Sequence, residues 1–128
     1  MIEIKAYAPA DEAALFAMMR EEGEDWRDYW GEDGCECYKK ALEQSSTFVA
    51  YEGGQLAGYV RCREDFGFEI IVHDLLVCKP CRGKQIGRTL MDRVAAAFPG
   101  VPVYVMSDVD GYYEKQGYER IGSIFQVK

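Results

Sequence analysis

The sequence predicts an α/β fold in which one mixed, mostly antiparallel central sheet of about six strands carries helices on both faces. Three observations lead there. Short runs alternate apolar and polar residues, as strands buried on one face do, while longer stretches space their apolar residues by three and four, as helices do. Three strand-like runs follow one another in mid-chain, which implies antiparallel hairpins. A later strand–helix–strand run implies parallel neighbours joined by a crossover. At 128 residues, 48% hydrophobic and 29% charged, one domain over residues 1–128 with a real core is expected.

The elements follow in order. Ile2, Ile4 and Ala6 alternate with polar neighbours and predict a first strand. Pro9 and Asp11 open a helix carrying Leu15, Met18 and Met19. From Gly23 to Gly34 the chain is acidic, aromatic and punctuated by glycine, which predicts a loop or broken helix. A second helix is expected over 36–44. Thr47 to Tyr51 reads as a strand, turning through Glu52-Gly53-Gly54-Gln55 into another over 56–63. Phe68 to Val77 predicts a long strand, ended by Pro80. A helix from about Lys84 to Phe98 carries Ile86, Leu90, Val94 and Ala97 on one face, and Pro99 and Gly100 close it. A short strand over 101–106, a short helix over 111–116 and a last strand over 118–127 complete the chain.

Composition limits the function. The formal net charge of −7 argues against a nucleic-acid partner. No apolar run approaches the roughly 20 residues of a membrane span, and the N-terminus lacks a basic-then-apolar leader, so a cytoplasmic protein without a membrane partner is expected. Charge is also unevenly placed. Residues 21–36 hold eight carboxylates against Arg27, whereas Lys79, Arg82, Lys84, Arg88 and Arg93 face only Asp92. Either zone alone reads as a solvated face; together they suggest two ligand ends of opposite charge.

The basic zone, "KPCRGKQIGRTLMDRV", joins a strand to a helix start. Such a start offers unpaired N–H groups and the positive end of the helix dipole, so phosphate or diphosphate is the natural ligand. Gly83 permits a conformation costly to other residues, and Gly87 allows close approach to the first turn. Neither the nucleotide P-loop nor the dinucleotide fingerprint is present. Among the five cysteines, Cys78 and Cys81 form a C-x-x-C pair whose position beside Arg82 and a helix start would favour a thiolate at Cys81. Cys35 and Cys37 form a C-x-C pair, but no second C-x-x-C or His pair supports zinc; no metal is expected, and buried or incidental thiols are the simpler reading.

The segment "LLVCKPCRGKQIGRTLM" resembles the acetyl-CoA-binding motif of the GNAT superfamily of N-acetyltransferases. Arg82 and Gly87 match the motif's ends, Gly83 matches a common variant, and Gln85 stands where the middle glycine usually stands. "GYYEKQGYERIG" resembles the family's late aromatic signature through Tyr112, Tyr113, Gly117 and Tyr118. The order of strands and helices is similar along essentially the whole chain. In the family a seventh strand begins about where this sequence stops, so completion of the last strand and part of the acceptor pocket otherwise, or by a partner subunit, is expected.

The resemblance implies an acetyl-CoA-dependent transfer to a primary amine by direct attack on the thioester. The strand backbone at Leu75, Leu76 and Val77 would hold the pantetheine arm, and the segment Arg82, Gly83, Lys84, Gln85, Ile86, Gly87 and Arg88 the diphosphate. Tyr113 matches the tyrosine that protonates the leaving thiolate; the plainer alternative is a ring packed for its bulk. His73, the sole histidine, resembles in placement a catalytic histidine of arylalkylamine members, and Glu69 the base of histone-acetylating members. Strict alternation puts His73 with Glu69, Ile71, Leu75 and Val77 on one face and Asp74 on the other. The acceptor wall would come from the acidic aromatic loop. There Glu24 and Asp25, with Glu22 nearby, and the rings of Trp26, Tyr29 and Trp30 suit a cationic small molecule or basic peptide. A monomer or homodimer is expected. Two alternatives stay open: a non-catalytic coenzyme-binding sensor, and a thiol redox protein using Cys78 and Cys81.

Overall fold

A computed structural model describes residues 1–128. Five strands form one sheet in the order β1 (Ile2–Ala6), β2 (Ser46–Glu52), β3 (Gln55–Asp65), β4 (Glu69–Val77) and β5 (Val103–Val105). The first four pair antiparallel, and β5 lies parallel to β4. Helices α1 (Glu12–Glu22), α2 (Arg27–Trp30) and α3 (Cys35–Glu43) precede β2. Helix α4 (Ile86–Ala97) links β4 to β5, and α5 (Asp110–Lys115) follows. No helix is long and apolar enough to cross a membrane.

The sheet separates two cores, because its strands are buried on both faces. Phe48, Ala50, Val60, Ile70 and Val72 pack with Ile86, Leu90 and Val94 of α4 on one side. Val49, Tyr59 and Leu76 pack with Leu15, Met19, Tyr38 and Leu42 of α1 and α3 on the other. The α1 start is pinned by Asp11, which accepts from the Ala8 amide at 2.8 Å and from the Tyr51 hydroxyl at 2.6 Å.

The loop over 23–34 is a broken helix, a 3₁₀ turn over Glu24–Trp26 followed by α2. Gly34 is required where α2 turns into α3, since a Cβ there would sit 1.7 Å from the Asp28 carbonyl oxygen. Helix α4 begins at Ile86 rather than Lys84, because Gly83 (φ 85°) and Gln85 (φ 65°) take left-handed conformations. Five strands, not six, make the sheet: residues 118–127 form no strand, and Ile121, Ile124, Phe125 and Val127 are exposed. Gly122 and Ser123 break the alternation there, and β5 offers only three residues of edge to pair with.

The expected alternation along β4 fails at one point. Arg61 pairs with Asp74 and Cys62 with Val72, so His73 is the extra residue of a β-bulge. Ile70 and Val72 face the α4 core, whereas Leu76 faces the α1 core. A bulge reverses the pleat in this way and re-aims side chains beyond it. Asp74 and Leu76 therefore share the α1 face, opposite Leu75 and Val77 as expected, while the bulge sets them on the face opposite Ile70 and Val72.

Candidate active site

Strands β4 and β5 part company just beyond the bulge. Their pairing runs from Ile70–Val103 to Val72–Val105 and stops, so β4 from His73 to Val77 has no strand neighbour on that side. The gap opens a cleft of about 1150 Å³, floored by β4 and closed by the 78–85 loop, the α4 start and α5.

At the head of the cleft, the chain turns through Gly83 and Gln85 into α4. Gln85 is the N-cap, and no side chain caps the helix. The amides of Gly83 through Arg88 find no backbone or side-chain acceptor in the protein; the first bond of the helix runs from the Thr89 amide to the Gln85 carbonyl at 3.0 Å. Consecutive free amides at a helix start form an anion-binding concavity. A diphosphate fits that donor set. Gly83, Gln85, Ile86 and Gly87 line the cleft, and the Tyr112 hydroxyl lies over Gly87, where a Cβ would come within 2.3 Å of it.

The basic side chains are engaged elsewhere. Arg82 donates to the Val77 carbonyl at 2.9 Å and pairs with Glu22 at the end of α1. Lys84 pairs with Glu52 at 3.0 Å and lies outside the cleft lining. Arg88 bonds Asp92 at 3.2 Å and the Gln116 carbonyl at 3.0 Å, and sits over the Tyr118 ring. Arg88 thus clamps α5 onto α4 instead of facing the cleft. Local attraction for an anion therefore comes from the main chain.

Gln85 holds a left-handed conformation that costs an L-residue about 1–2 kcal/mol. Gln85→Gly should relieve that strain, offset by about 0.5–1 kcal/mol of glycine chain entropy. The expected net gain is small and positive in denaturant unfolding, with coenzyme affinity retained because the amide remains.

Of the residues assigned from sequence, the cleft gathers Tyr113, His73, Leu75, Leu76, Val77, Arg82, Gly83, Gln85, Ile86, Gly87, Asp25, Trp26 and Tyr29. Glu69, Lys84, Arg88, Glu24 and Trp30 do not line it. Glu69 starts β4 at the end where β5 is still paired nearby, on the closed side of the split. Trp30 instead bonds the Gly23 carbonyl at 3.2 Å through its indole N–H, tying the loop together. Burial lowers the His73 pKa, with Arg61 adding to the effect, so the imidazole favours its neutral form. Burial first, then Tyr112 and Asp108, pushes the Tyr113 phenol up to about 12.

Sequence reasoning missed the buried polar system beneath the cleft. Asp74, only 5% exposed, pairs with Arg61 and accepts from the Tyr38 hydroxyl at 2.7 Å; the Tyr38 and Tyr59 hydroxyls are 2.7 Å apart. The Tyr29 ring stacks on Tyr38 at 4.5 Å, placing the loop over 23–34 directly against this network. A charged pair on adjacent strands, at Arg61 and Asp74, was the available signal; the bulge concealed its orientation. The thiolate expectation for Cys81 is reversed: a hydrogen bond with Cys78, then burial and Glu52, push its thiol up to about 11. Arg82, turned towards Glu22 and Val77, does not offset them. No cluster of three or more His, Cys, Asp or Glu side chains is placed to hold a metal.

Residues 43–120 match the family model of the acetyltransferase (GNAT) domain. No curated protein sequence matches the chain. Among solved structures, the chain is similar to a GNAT family acetyltransferase from Streptococcus pneumoniae, at 23% identity and a TM-score of 0.76, covering 100% of this chain and 99% of that one. It is similar to a ribosomal-protein-alanine N-acetyltransferase from Brucella melitensis biovar Abortus, at 16% identity and a TM-score of 0.77, over 100% and 99%. An aminoglycoside acetyltransferase from an uncultured soil metagenomic sample is similar at 21% identity, with a TM-score of 0.73, over 100% and 98%. At these identities the likeness is one of fold, whereas the family match spans more than half of the sequence. The split sheet, the uncapped helix start and the match over 43–120 together make the chain a member of the GNAT acetyltransferase family.

Proposed function

We propose that the protein transfers an acetyl group from acetyl-CoA to the primary amine of a small cationic acceptor. The observation that carries this reading is the run of free amides from Gly83 to Arg88 beside the unpaired edge of β4. The amides take the diphosphate, and the edge at Leu75, Leu76 and Val77 takes the pantetheine arm by main-chain hydrogen bonds. The thioester then lies towards His73, with the acceptor entering between Asp25, Trp26 and Tyr29.

In the transfer, the amine nitrogen bonds to the carbonyl carbon of the thioester and the carbon–sulfur bond breaks. The amine's proton passes to His73, and the departing thiolate takes a proton from Tyr113; solvent restores both groups. The raised phenol rests protonated, and a neutral imidazole is ready to accept a proton. The acidic loop favours a cationic acceptor through charge and through the faces of Trp26 and Tyr29.

A panel of amines with acetyl-CoA, read by thiol release, tests the proposal. Turnover of cationic primary amines supports it. Coenzyme binding without thiol release from any amine would instead make the protein a binding module. If His73 is the base, kcat/KM falls on acidification through a pKa below the ordinary imidazole value, because protonation removes the acceptor lone pair. His73→Gln should lower the rate and abolish that limb; a pH profile identical to wild type would exclude the role.

A further inference from the structure

Helix α5 carries Tyr112 and Tyr113, yet it is six residues long and buries none of them fully. Among the hydrogen bonds of residues 106–128, a single one reaches the rest of the protein: Arg88 Nη1 donates to the Gln116 carbonyl at 3.0 Å. The others close within the segment, such as the Tyr118 amide to the Tyr113 carbonyl at 3.2 Å and the Val109 amide to Ser107 Oγ at 3.1 Å. No ion pair ties the segment down. Ring packing adds to the tether, with the Tyr112 hydroxyl over Gly87 and the Tyr118 ring against the Arg88 guanidinium at 5.7 Å. An element held so lightly opens more readily than the core.

Arg88 thus joins two parts of the site. Its amide belongs to the free run at the head of the cleft, while its guanidinium stays outside the lining, steadied by Asp92 one turn along α4 at 3.2 Å. Gln116 is the C-cap of α5, and its carbonyl is one that the helix itself leaves without a donor. The Gln116 amide in turn donates to the Tyr113 carbonyl at 3.1 Å, so holding Gln116 holds the turn on which Tyr113 sits.

Resting on the acetyltransferase reading above, we infer that Arg88 is the positioning residue for Tyr113. Its bond to Gln116 fixes the phenol relative to a coenzyme whose diphosphate rests on the same turn of α4. The Arg88 side chain touches neither coenzyme nor amine. It acts through α5, so its substitution slows proton transfer to the thiolate without loosening the coenzyme. A misplacement of about 1 Å at the reacting atoms can cost about a hundredfold in rate, and a single lost tether is enough to matter.

Arg88→Met keeps the backbone amide and an aliphatic stem but removes the donor. With an amine that wild type acetylates, at saturating acetyl-CoA, kcat should fall about tenfold or more, while the calorimetric Kd for CoA stays within about twofold of wild type. In a Tyr113→Phe background the same substitution should cost less than about twofold further, since a residue acting through the phenol has nothing left to position. Hydrogen exchange, which needs no turnover, should quicken at the amides of residues 116–118 in Arg88→Met and stay unchanged at residues 90–94 of α4. Arg88→Gln serves the same comparisons should the methionine variant fail to fold. Full kcat in the folded variant, an equal loss with and without the Tyr113 hydroxyl, or unaltered exchange in α5 would each overturn the role. So would a weakened CoA affinity with kcat intact, which would make Arg88 a coenzyme ligand instead. Each of these outcomes leaves the transferase reading standing, because wild type still turns over. A wild type that binds coenzyme and acetylates no amine in the panel removes that reading, and this inference with it.

Discussion

Tyr113→Phe is expected to lower kcat by about a hundred- to ten-thousand-fold, the usual contribution of a positioned general acid, while leaving coenzyme affinity unchanged. The ring packs against Tyr112 at 5.1 Å and Tyr118 at 6.1 Å, and phenylalanine preserves both contacts. Only the hydroxyl is lost, and with it the proton proposed to reach the leaving thiolate. Single-turnover measurement with a cationic amine, paired with calorimetric titration of the coenzyme, separates chemistry from binding. A kcat within about twofold of wild type would remove Tyr113 from the mechanism, because general acids contribute far more than that.

Arg61→Ala carries the largest expected effect on stability. The guanidinium is buried, pairs with Asp74, donates to Ser45 Oγ at 3.1 Å and lies over the Tyr38 ring at 5.2 Å. Removing it leaves the Asp74 carboxylate in a poorly solvated site with one hydrogen bond from Tyr38. Breaking a buried pair from one side typically costs about 3–5 kcal/mol, whereas replacing both partners by apolar residues of similar volume is often neutral. Denaturant unfolding should therefore show a much lower midpoint for Arg61→Ala, and the combined Arg61→Met, Asp74→Leu protein should recover much of the loss. A loss below about 1 kcal/mol for the single variant would mean that the pair is solvated like a surface bridge. The same change should also loosen Tyr38, and through it the Tyr29 wall of the cleft.

The hairpins were legible because their chemistry is local. Alternation fixed the strands around Val49 and Tyr59, Gly53 and Gly54 marked the turn between β2 and β3, and Pro80 ended β4. The free amides were legible too, since a helix start after Gly83 leaves them unpaired wherever it lies. What escaped was set by long-range geometry. The bulge at His73 depends on the pairing of β4 with β3, and it alone turns Asp74 towards Tyr38. Arg82 and Glu22 are 60 residues apart in sequence, so nothing local showed that this arginine is engaged. Residues 118–127 have apolar side chains suited to a strand, but a strand exists only with a neighbour, and β5 is too short to hold one.

The central claim is that the main chain from Gly83 to Arg88 grips the diphosphate of the coenzyme. Backbone-amide NMR during titration with CoA, and in parallel with pantetheine, tests it most directly. CoA should shift the amide resonances of Gly83 through Arg88 strongly, and pantetheine, which lacks the diphosphate, should leave them near their free positions. CoA binding that shifts other amides and spares this run would contradict the claim.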